Sequence, residues 1–90
     1  MDLENVHNYY EQLVFDEIQT HLQSRGLQCD YETLEDVACI ALNRLPPRYV
    51  SNSVDMAFFL TSEDRLKMDQ AVEKAVKEGF EIVTTNPRNR

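Results

Sequence analysis

Arg44, Arg48 and Tyr49 sit on either side of Pro46 and Pro47, at the end of an apolar stretch. An arginine offers a planar fork of donors matched to phosphate oxygens, and it sheds water more readily than lysine. A tyrosine beside it offers a flat ring on which a nucleobase can stack. The two prolines lack backbone N–H groups, and the first disfavours a helical conformation at Leu45, so they fix where a helix must stop. Two of only nine basic residues are thus held at a defined corner of an acidic chain. Arg88 follows Pro87 and is a second arginine beside a proline. If the helices ending at these two corners pack antiparallel, the arginines converge. The pattern points to a small anion site, with Arg44, Arg48, Tyr49 and Arg88 as the ligand-binding residues. Each of three has another use open to it. Arg44 can complement the end of a helix dipole, Arg48 can pair with one of sixteen acidic residues, and Tyr49 can be a core aromatic.

Other chemistry finds no support in the pattern. With only two glycines there is no phosphate-cradling loop, and neither an HExxH nor a serine elbow occurs. The carboxylates fall where solvated helix faces would put them. No enzyme is expected. Cys29 and Cys39 form neither a CxxC nor a CxC unit. His7 and His21 are fourteen residues apart, too far to share one metal on a single helix. Cys39 is expected as a small buried hydrophobe.

Ninety residues make one domain, spanning 1–90, and 42% apolar residues are ordinary for a folded chain. A core of this size leaves a modest margin of stability, and a homodimer interface would supply further burial. The net charge of −7 argues against duplex DNA or an anionic membrane as the main partner. A small anionic ligand is still open, because it feels mainly charges within about 10 Å. The acidic, polar start predicts no signal peptide, and no apolar run approaches the ~20 residues of a membrane span. A reducing cytoplasm with both thiols free is the expected setting.

The elements that would position these residues read as helices. Val6, Tyr10, Leu13, Val14, Ile18 and Leu22 keep helical spacing, which predicts a first helix over 4–24 stopping at Gly26. A second is predicted over 32–45, capped by Asp30 or by Thr33 with Asp36. Its face of Leu34, Val37, Ala38, Ala41, Leu42 and Leu45 is broad enough to be buried between two partners. The run from Ser53 to Leu60 is ambiguous between a short strand and a helical turn. Thr61 and Asp64 form a capping box for a long third helix. Met68, Val72, Ala75, Val76, Phe80 and Val83 carry its period through Gly79, which would allow another helix to approach closely. The competing reading stops the helix at Gly79 and makes 80–85 a strand, since Val83, Thr84 and Thr85 are β-branched. The unbroken period favours the continuous helix. The expected fold is all-α, with three main helices and a short irregular or β-like segment between the second and third.

Several of these stretches resemble the late competence development ComFB family. The stretch from Ala41 to Val50, reading ALNRLPPRYV, resembles its signature. The segment from His7 to Val14, HNYYEQLV, is similar to its first-helix pattern. Asp36-Val37 and Asn86-Pro87-Arg88-Asn89 match further positions, so the likeness covers almost the whole chain. The resemblance implies a small, mostly helical, cytoplasmic bacterial domain that forms dimers. Some members carry a CxCxxC cluster and a later cysteine that bind zinc. Here those first three positions read Cys29, Tyr31 and Leu34, and no later cysteine follows Cys39. A tetrahedral structural zinc needs four ligands, so no zinc is expected, and apolar packing of Tyr31 and Leu34 is expected in its place. The resemblance further implies a receptor for a cyclic dinucleotide, cyclic di-GMP or cyclic di-AMP, that signals to a protein partner. Its two phosphates and two purines suit Arg44, Arg48, Tyr49 and Arg88. The alternative is a dimeric adaptor in competence, motility or biofilm control that takes no small ligand.

Overall fold

The computed structural model describes residues 3–51 and 60–85. Among them run β1 (Val6–Asn8), α1 (Tyr10–Arg25), α2 (Tyr31–Asn43), β2 (Tyr49–Ser51) and α3 (Ser62–Thr85). The three helices make the body of the fold, and the two short strands pair antiparallel beside it.

Local chemistry sets each boundary. Gly26 adopts φ 62°, a conformation that costs glycine little, and its N–H donates to the Gln23 carbonyl. The Leu27 N–H then donates to the Leu22 carbonyl, so α1 ends in a Schellman turn. Asp30 caps α2, its Oδ1 accepting from the Thr33 N–H at 2.9 Å. At the other end, Arg44 and Leu45 donate to carbonyls three residues back, which tightens the last turn before the prolines. The helix therefore ends at Asn43, two residues before the expected 45. Thr61 and Asp64 close a reciprocal capping box on α3, at 3.3 and 3.0 Å.

α3 does pass through Gly79 without a break. Its β-branched end stays helical because Val83 packs on the core while Thr84 and Thr85 donate their hydroxyls to carbonyls one turn back. The start of the chain departs from its helical spacing. Residues 6–8 form β1, not the first turn of α1, and Val6 is exposed. A strand wins there because β2 supplies backbone partners, in the register Val6 to Ser51, His7 to Val50 and Asn8 to Tyr49.

The core lies where the three helices meet. Val14, Val37 and Val76, one from each helix, are its largest fully buried side chains, each worth about 1.5–3 kcal/mol of burial. α2 packs on both neighbours, yet only Val37, Ala41 and Leu45 of its apolar face are fully covered. Leu34, Ala38 and Leu42 are part-buried. Cys39 is exposed, contrary to expectation, because α2 turns it away from both neighbouring helices. Tyr31, expected to pack, is 83% exposed at the start of α2. The stretch from Ser53 to Phe59 lies outside the described residues, while Leu60 packs against the core.

Two contacts at the core carry measurable consequences. A Cβ placed on Gly79 would stand 3.0 Å from the Val37 carbonyl oxygen and 3.2 Å from Val37 Cγ1. Gly79→Val is expected to lower stability by about 2–3 kcal/mol in urea unfolding, since α2 and α3 cannot separate without opening the core. His21 stacks on Phe80, with ring centroids 4.2 Å apart and planes 11° from parallel. Desolvation by burial, then the Arg25 charge, lowers its pKa below the ordinary 6.5. The folded state thus binds fewer protons than the unfolded one, so stability should fall as pH drops through and below 6.5. Glu17 has the opposite sign. Desolvation, then Glu73 and Asp69, raise its pKa above 4.5, so further acidification through that window should relieve strain. His21→Gln is expected to flatten the upper slope of a stability profile against pH and leave the lower one.

Candidate functional site

The proline corner is held from three sides. Leu45 is buried and anchors the end of α2 in the core, while Pro46 and Pro47 face solvent. Beyond them the chain enters β2 at Tyr49. Asn8 then clasps it. Its side-chain Oδ1 accepts from the Arg48 N–H at 3.0 Å and from the Tyr10 N–H at 3.2 Å. The Tyr9 N–H donates to the Arg48 carbonyl at 2.6 Å. One carboxamide thereby stops β1, starts α1 and fixes the backbone of Arg48. Asn43, beside the corner, uses its own amide to satisfy the Cys39 carbonyl at 2.8 Å.

Of the four residues read as ligand-binding, three are described, and they divide between two faces. Arg44 lies against α3, where its Nη1 donates to Glu78 Oε2 at 2.7 Å. Both side chains keep substantial exposure, so the pair contributes about 0.2–1 kcal/mol. Beside them is an open hollow of about 390 Å³, with Arg44, Lys74 and Glu78 as its charged lining. Arg48 and Tyr49 are not part of that lining. They stand on the sheet side of the corner, both exposed, and Tyr49 is no core aromatic at 68% exposure. Arg88 lies outside the described residues, so the suggested convergence of the two arginine corners does as well.

The chemistry this arrangement offers is surface recognition. Among the described residues no polar or charged side chain is buried. Nor do three His, Cys, Asp or Glu side chains among them stand close enough to hold a metal ion. Arg44 already spends one guanidinium nitrogen on a carboxylate. Arg48 and Tyr49 present a cation and a flat ring directly to solvent, on a backbone held by Asn8.

Asn8 is missing from the residues that sequence reasoning singles out, although a clue is present. Asparagine is favoured at helix starts because its carbonyl accepts from nearby backbone N–H groups. Its second role, holding a residue forty positions away, has no local signature. Asn8→Ala is expected to lower stability by about 1–2 kcal/mol. Asn8→Asp keeps the acceptor and should retain most of that stability. Chemical unfolding of the two variants separates the clasp from a general effect of substitution.

The chain matches the family model described as late competence development protein ComFB over residues 7–87. No curated protein matches it significantly. The match takes in α1, the proline corner with its Asn8 clasp, and the whole of α3. The chain belongs to the ComFB family.

Proposed function

We propose that the protein is a non-catalytic receptor for a cyclic dinucleotide, cyclic di-GMP or cyclic di-AMP, that signals to a protein partner. Membership of the ComFB family supports this reading, together with one observation above others. Arg48 and Tyr49 are consecutive and both exposed where the chain enters β2, with the Arg48 backbone held by Asn8. A guanidinium can take a phosphate or the O6/N7 edge of guanine, and a tyrosine ring can stack on a purine. Arg44 is the second cation of the corner, and Arg88 is carried as a further ligand-binding residue from its place in the family's pattern. No catalytic step is assigned to these groups, whose solvent-facing setting suits recognition. With Cys29 as the one matching ligand of the family's cysteine cluster, the protein is proposed to hold no zinc. A cytoplasmic site of action belongs to the same reading. No helix among the described residues is long and apolar enough to cross a membrane. Pairing as a homodimer would suit a core of this size.

One observation favours a second reading. Arg44 is paired with Glu78, as expected if the arginines serve only in ion pairs. The protein would then be a dimeric adaptor in competence, motility or biofilm regulation, with no small ligand.

Calorimetric titration with cyclic di-GMP, cyclic di-AMP and linear pGpG separates the two. The receptor reading predicts saturable heat with a cyclic dinucleotide and a loss of about tenfold in affinity for Arg48→Ala. Glu78→Gln should tighten binding if Arg44 contributes, because it releases that guanidinium. No heat with any of the three, at protein concentrations in the tens of micromolar, favours the adaptor.

A further inference from the structure

The part of the α2 face that its neighbours leave uncovered is one wall of an open groove of about 300 Å³. Leu34, Ala38 and Leu42 line it from α2, and Phe15, Val14 and Ile18 from α1. Phe15 is 57% exposed and Tyr31, at one border, 83%. Surface aromatics here stand beside part-buried leucines, and no other element among the described residues lines the groove. The α1 lining positions run from 11 to 19, about 12 Å of helix at 1.5 Å per residue. The only charged residues of the lining are Glu11 and Glu35, both acidic.

We propose that this groove docks an amphipathic helix of a partner protein, with apolar anchors at i, i+4 and i+7 and basic residues flanking them. Those anchors span about 10.5 Å along a helix, which matches the length of the groove. Lysines or arginines beside them meet Glu11 and Glu35. The charge also argues against other occupants. A second copy docked groove to groove would set these carboxylates against themselves, in a chain already at −7. An anionic lipid or phosphate would be repelled by the same rim. None of Arg44, Arg48 and Tyr49 lines the groove, so the inference does not rest on nucleotide binding.

The test is fluorescence anisotropy with a short labelled helical peptide carrying leucines at i, i+4 and i+7 and lysines elsewhere. A matched peptide has glutamates in place of the lysines. Saturable binding of the basic peptide is expected, weakening with added salt, and little binding of the acidic one. Phe15→Ser and Glu35→Lys should each weaken binding by about tenfold while leaving the circular dichroism spectrum unchanged. Both side chains are exposed, so neither substitution removes core packing. Equal binding of the two peptides, or no binding of the basic one, overturns the proposal. So does a homodimer, seen by sedimentation, that Phe15→Ser dissociates, since the groove would then be occupied by a second copy.

Discussion

Two backbone N–H groups, one two residues away and one forty, share a single acceptor, the side-chain oxygen of Asn8. Its oxygen binds the Arg48 and Tyr10 N–H groups, and the neighbouring Tyr9 N–H closes on the Arg48 carbonyl. The backbone ladder with β2 takes the chain before α1 off the helical path its apolar spacing suggests, and the Asn8 acceptor closes the end of that ladder. The chain leaving the proline corner is thereby tied to the start of α1. The prolines alone would stop α2 but would not direct the chain into β2. Two missing N–H groups and one well-placed acceptor together define where Arg48 and Tyr49 stand.

The other side of the corner is governed by helix packing. Gly79 lets α3 lie directly against the backbone of α2 at Val37, and the same pairing brings Arg44 within reach of Glu78. Close contact in the core thus determines an electrostatic contact on the surface. The two arginines of the corner consequently live in different surroundings. One is partly neutralised by a carboxylate, and the other is borne by an extended turn. α2 spends part of its apolar face on α3 and leaves the rest beside α1, where the open groove lies.

Much of the architecture is legible in the residues. The Gly26 stop, the Asp30 cap, the Thr61–Asp64 box and the unbroken period through Gly79 are local signals. Local geometry satisfies each of them. The start of the chain is not legible, because its apolar spacing also fits a helix and its true partner lies beyond the prolines. Cys39 and Tyr31 depart from expectation for a related reason. Helical period says which residues share a face, but not how wide a face the neighbours will cover. Of the candidate site, the corner itself is evident from the prolines. The division of Arg44 from Arg48 is not, since it arises from which element each side chain meets.

The clasp also bears on how the fold can open. It joins residues forty apart, so closing it costs chain entropy, and a docked α2 reduces that cost by bringing the two segments together. The helices can therefore assemble before the strands pair, and the sheet can part again without the core opening. Arg48 and Tyr49 then belong to a unit that opens at lower free energy than Val14, Val37 and Val76. Anything that grips those two residues in their paired conformation binds the closed form alone, and so draws the N-terminal strand onto the body of the protein.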